Sequence, residues 1–145
     1  MIIILAKSGN SDNTEDKDNL TYINIIKAKF LTEKDNETIN IINDNISNKL
    51  NITLFINGKE KTFNNQYFFE EKNEYFLEFH IKGELQNLNE LFMNINNLKD
   101  IDLSGIKTDK VKNMSKLFYK CESLETINLT NLNTYNVLNM KSMFE

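Results

Sequence analysis

The stretches LQNLNELF at residues 85–92, VKNMSKLF at 111–118 and VLNMKSMF at 137–144 decide how this chain is read, because each begins 26 positions after the last without an insertion. Leu85, Leu88, Leu91 and Phe92 return as Val111, Met114, Leu117 and Phe118, and again as Val137, Met140, Met143 and Phe144. Between these blocks, Leu98, Ile101, Leu103, Ile106 and Thr108 return as Leu124, Ile127, Leu129, Leu132 and Thr134. A fixed period of this length marks stacked units, none of which buries its apolar face until a neighbour covers it.

Two spacings alternate inside a unit. Val111, Met114, Leu117, Phe118 and Cys121 fall on one side of a helix, whereas Ile127 and Leu129 take the two-residue step of a strand. The spacing therefore predicts a helix over each apolar block. It also predicts strands over 98–104 and 124–130, with Asp100, Asp102, Thr126 and Asn128 turned outward. Stacking would align the strands as a parallel sheet on one face and the helices on the other.

Upstream the signals are shorter. Residues 8–19 (SGNSDNTEDKDN) contain no apolar side chain and read as a disordered acidic arm. The run 22–30 (YINIIKAKF) reads as a strand with an irregularity near Ile25 and Ile26. Ile39, Ile41, Ile42 and Ile46 fit either a strand or a short helix. In 52–63 (ITLFINGKEKTF), Asn57 and Gly58 separate two alternating runs and predict a β-hairpin with a type I′ turn. The alternation of 75–81 (YFLEFHI) gives a further strand, and Gly83 is a joint before the repeats. The expected organisation is an arm at 1–19, a small β-rich domain at 20–83 and repeats at 84–145, about two units long and truncated.

The repeat resembles the BspA-like leucine-rich repeats, 26-residue units of bacterial and protist surface proteins. Leu117, Phe118, Cys121, Leu124, Ile127, Asn128, Leu129, Thr130, Thr134, Val137, Asn139, Met140, Met143 and Phe144 carry the likeness. One unit earlier, Ile95 stands where the family has Cys and Leu88 where it has Met, so the first unit looks like a degenerate cap. Residues 45–63 resemble the small β-rich segment that precedes such repeats. The resemblance implies an α+β fold, with a small N-terminal antiparallel β segment followed by a short leucine-rich-repeat solenoid. Its repeat core would comprise Leu88, Phe92, Leu98, Ile101, Leu103, Val111, Met114, Phe118, Cys121, Leu124, Ile127, Leu129, Val137, Met140 and Phe144.

Composition narrows the partners. A net charge of -4 with no Arg argues against nucleic acid, which needs clustered cations to displace counterions, and disfavours an anionic membrane surface for the same reason. The apolar start at 1–6 is too short for a signal peptide or a membrane span. One cysteine makes no internal disulfide. The 25 Asn residues match an A/T-rich coding sequence, so much of that richness reads as mutational background. Asn-x-Ser/Thr sequons begin at Asn19, Asn36, Asn45, Asn51, Asn113 and Asn128, a mild excess over chance that matters only in a secreted eukaryotic protein.

No catalytic constellation is present. Cys121 lies on the inward face without a His, Cys or basic neighbour and reads as a structural thiol. His80 stands alone on its strand, which offers neither a metal site nor a base with a partner. Asp12, Thr14, Asp16 and Asp18 alternate like a calcium loop, but Lys17 occupies the position that needs Gly and no Glu closes the loop. No metal or cofactor is expected. The resemblance implies a non-enzymatic module that binds a protein or glycan, of a surface or adhesion protein, and the outward strand positions Asp100, Asp102, Thr126 and Asn128 are the candidate ligand strip. Against this stands the plain reading that exposed strand positions are polar anyway. An intracellular interaction scaffold is the alternative.

Overall fold

In the computed structural model, which describes residues 23–47 and 49–145, alternation of apolar and polar side chains builds most of the elements. The arm expected at 1–19 lies outside the described residues. Strand β1 (Ile23–Leu31) buries Ile26, Ala28 and Phe30, and the irregularity falls where its pairing with a later strand shifts register between Ile25 and Lys27. Of the apolar group after it, Ile39 lies in β2 (Glu37–Asn40), Ile46 in the single helical turn α1 (Asp44–Ser47), and Ile41 and Ile42 in the bend between them. The hairpin is formed by β3 (Asn51–Ile56) and β4 (Lys59–Lys61), with φ of 49° at Asn57 and 75° at Gly58 as its turn requires. Strands β5 (Gln66–Phe69) and β6 (Glu74–Lys82) follow, then β7 (Leu98–Gly105) and β8 (Thr126–Asn128) from the repeats.

Six strands form one mixed sheet in the order β4-β3-β6-β1-β7-β8, and β2 pairs with β5 in a separate ribbon. All pairs in the large sheet are antiparallel except β7 with β8. The first repeat strand therefore joins the N-terminal strands directly, with β1 between β6 and β7. Gly105 permits a close approach of β1 and β7, because a Cβ there would stand 2.5 Å from the carbonyl oxygen of Ile25.

The expected α+β class and the leucine-rich-repeat solenoid with helices on one face are overturned. The fold is almost entirely β, and each apolar block is a run of overlapping turns. The physical cause is where the amides go. The N–H groups of Glu90, Phe92 and Asn94 donate to the carbonyls of Ser115, Leu117 and Tyr119 in the next unit at 3.0, 3.0 and 2.9 Å. Those of Lys116, Phe118 and Lys120 donate onward to Lys141, Met143 and Glu145. Only the intervening amides bond within the unit, three residues back, as Leu91 does to Leu88 and Leu117 to Met114. A helix keeps all of its interior amides bonded four residues back. Exporting alternate amides requires the backbone to reverse, and φ is positive at Glu90, Asn94, Lys116, Lys120 and Ser142. The side chains nevertheless gather on one side, which is why their spacing imitates a helix.

Strand β8 is shorter than the expected 124–130. The amide of Leu124 closes a turn on Cys121, and Asn128 Oδ1 accepts the amide of Thr130, so turns begin at both ends.

One apolar core runs from the sheet's inner face through the turn runs. Leu88, Phe92, Leu98, Ile101, Leu103, Val111, Met114 and Phe118 are buried in it. Cys121, Leu124, Ile127, Leu129 and Val137 are half-buried. Met140 and Phe144 are not core residues: they are 43% and 57% exposed, because no unit lies over the third among the described residues. Phe92 and Phe118 stack at 5.9 Å and 10°, Phe118 and Phe144 at 5.7 Å and 18°, and Phe79 of β6 meets Phe92 edge-on at 5.9 Å.

Stacking also pairs like positions of neighbouring units. Asn87, Asn113 and Asn139 form successive parallel bridges, and each Oδ1 accepts the amide two residues on at 2.9 to 3.0 Å. These Asn residues therefore hold the turns, whatever the codon bias contributes. Two ion pairs join positions one period apart, Lys99 to Glu125 at 2.6 Å and Glu90 to Lys116 at 3.5 Å.

Candidate interaction surface

The large sheet buries one face and leaves the other to solvent. On the outer face a single register row crosses all six strands: Glu60, Phe55, Glu78, Lys27, Asp102 and Asn128. The neighbouring row runs through Phe76, Lys29, Asp100 and Thr126. Register, and not sequence proximity, brings Asp100, Asp102, Thr126 and Asn128 together.

Their charges are largely committed to one another. Lys29 Nζ lies 2.6 Å from Asp100 and 3.7 Å from Glu74, while Lys27 stands 4.0 Å from Glu78. The hydrogen bond to Asp100 and that residue's charge raise Lys29 above the ordinary lysine value, against a smaller opposing effect of desolvation. The same hydrogen bond holds Asp100 below the ordinary carboxylate value, with partial desolvation opposing and the Thr126 hydroxyl assisting. Desolvation acts to raise Asp102, but hydrogen bonds from Ser104 and Asn128 outweigh it and leave Asp102 lowered. The amide of Ser104 donates to Asp102 Oδ1 at 2.8 Å and that of Thr130 to Asn128 Oδ1 at 3.1 Å, so both positions also close the ends of their strands.

Beside this polar stripe, β3 and β6 set out aromatic side chains. The ring of His80 lies 4.6 Å from that of Phe55, its Nε2 is 2.8 Å from Glu78, and Phe76 is 59% exposed. Sequence alone does not bring Lys27, Lys29, Glu78, Phe55 and Phe76 onto this surface. Their two-residue alternation was legible, but the strand order that sets them beside β7 was not. The surface pairs aromatic contact with a fixed pattern of donors and acceptors, which suits recognition.

Other reactive groups are accounted for structurally. Cys121 is half-buried, donates from Sγ to the Phe92 carbonyl at 2.8 Å, and is pushed up by desolvation to about 11. No group of three or more His, Cys, Asp or Glu side chains among the described residues is arranged to hold a metal. A shallow cleft of about 160 Å³ lies between Asn24, Glu84, Lys107, Asp109 and Lys110. Buried Asn24 there donates to the Gly83 carbonyl and accepts the Lys107 amide, both at 2.8 Å, and so ties two connections together. Among the described residues no helix is long and apolar enough to cross a membrane.

A family model described as Mycoplasma protein of unknown function, DUF285, matches residues 60–145. No curated protein and no solved structure matches the chain.

Proposed function

The chain belongs to the DUF285 family, and we propose that it is a non-enzymatic recognition module whose outer sheet face takes a protein or glycan ligand at a cell surface. The likeness of its 26-residue pattern to the BspA-like repeats supports this reading. The observation that carries it is the six-residue row from Glu60 to Asn128, with exposed Phe76 beside it, on a sheet face that no second layer covers among the described residues. Because Lys29, Asp100 and Glu74 hold each other in place, a ligand meets a pattern already ordered and loses less entropy on binding. Phe76 supplies an apolar anchor next to it.

The test is a screen of the folded chain against cell-surface extracts and a glycan array, repeated with Phe76→Ala and with Asp100→Lys plus Asp102→Lys. Binding lost in both variants is the expected result, with the melting temperature unchanged in Phe76→Ala and lowered, but with unfolding still cooperative, in the charge-reversed variant that breaks the Lys29–Asp100 pair. Binding that survives both would remove this face from consideration.

A further inference from the structure

The 26-residue register separates two kinds of exposed apolar residue. Met140 and Phe144 occupy positions that are buried one unit earlier as Met114 and Phe118, where a following unit lies against them. Tyr135 and Leu138 differ. They are 91% and 82% exposed, and they follow by one period Asp109 and Lys112, which are exposed although the third unit lies beside the second. These positions face solvent in both units. An aromatic and an aliphatic side chain thus stand in water with no packing role among the described residues.

Their neighbours are cationic. Lys107, Lys110 and Lys112 occupy the corresponding loop of the second unit, which the third-unit loop grips closely. The Leu138 amide donates to the Lys112 carbonyl at 2.8 Å, and Asn136 Nδ2 donates to the Asp109 carbonyl at 2.7 Å. Among the described residues, acidic Glu84 and Asp109 line the same cleft as Lys107 and Lys110, and the Asp109 carboxylate is engaged by Asn133 Nδ2 at 2.9 Å.

We propose that this flank docks on an anionic lipid bilayer, with Tyr135 and Leu138 entering the headgroup level and Lys110 and Lys112 meeting lipid phosphates and carboxylates. A tyrosine with an apolar body and polar tip suits that depth, and lysines reach out beside it. Lysine is depleted at protein interfaces, which favours lipid over a protein partner. The whole-chain charge of -4 does not decide the matter, because only charges within about 8 Å of the surface are felt at physiological salt.

Cosedimentation of the full chain with vesicles of phosphatidylcholine, with and without phosphatidylserine, tests the proposal. Retention only by the phosphatidylserine vesicles, declining with salt, is expected. Lys110→Gln and Lys112→Gln should each weaken it about fivefold, and Tyr135→Ser with Leu138→Ser should remove most of it. Lys59→Gln with Lys61→Gln, on β4, should leave it unchanged. The proposal is overturned if phosphatidylserine adds nothing, if the serine variants bind as wild type does, if the β4 variants weaken binding equally, or if polyglutamate-coated beads retain the protein as well as vesicles do.

Discussion

Asn43 donates its backbone N–H to the carbonyl of Leu91 at 2.9 Å, and its Nδ2 to that of Met93 at 3.4 Å. In the second unit the equivalent carbonyls, of Leu117 and Tyr119, accept amides from the unit before. Asn43 thus stands in for a preceding unit and satisfies carbonyls that would otherwise lack partners. Asn43→Ala keeps the backbone bond but loses the side-chain bonds to Met93 and to the Asn45 amide. A loss of about 1–2 kcal/mol in urea unfolding is expected; wild-type stability would show that the side chain does no capping.

The phenylalanine stack should weaken toward its exposed end. Phe92 is fully buried between Phe79 and Phe118, so Phe92→Ala should cost about 3–5 kcal/mol. Phe144 is 57% exposed and has one ring neighbour, so Phe144→Ala should cost less than about 1.5 kcal/mol. Equal losses in denaturant titrations would contradict this gradient.

Positive φ is strained for any residue with a Cβ. At Lys120, φ is 55° and the amide is committed to Glu145, so Lys120→Gly should be about 1 kcal/mol more stable than Lys120→Ala. Comparing the two variants cancels the lost contact with the Tyr119 ring. The opposite order, read from melting curves, would mean that this backbone is relaxed.

These strained turns mark where sequence reading reached its limit. Period, strand alternation and the Asn57–Gly58 turn are local signals, and the parallel register of Asp100 with Thr126 follows from the period alone. The turn runs are not local, because Phe92 and Phe118 pack on the same side whether their amides bond inward or to the next unit. Only the neighbouring unit decides between them. Likewise, nothing in the run 22–30 says that Lys29 will lie against Asp100, since that depends on β1 entering the sheet between β6 and β7.

The pair Lys29–Asp100 sets a pH dependence. Asp100 is lowered in the folded chain, so its contribution is present above the unfolded carboxylate value of about 3.9 and is lost as pH falls through the folded value. Lys29 is raised, so its contribution is present below about 10.4 and is lost as pH rises through the folded value. The stability gap between wild type and Lys29→Met should be widest near neutrality and close at both extremes. A gap independent of pH would exclude the ion pair as its source.

Cys121, with its thiol near 11, should carry about a hundredfold less thiolate at neutral pH than an exposed cysteine. Alkylation by iodoacetamide should accordingly be slow in buffer and rapid in denaturant. Fast reaction of the native chain would place the sulfur in open solvent.

The ion pairs Lys99–Glu125 and Glu90–Lys116 each couple the same place in consecutive units, with the sign reversed between them. Strand spacing brings such places to roughly 4.8 Å apart, where matching charges repel. Exact duplicates of one unit would thus set lysine against lysine at one point and glutamate against glutamate at another. Divergence among these segments is, at those sites, a condition for their lying together, and a consensus sequence built by averaging them would forfeit it.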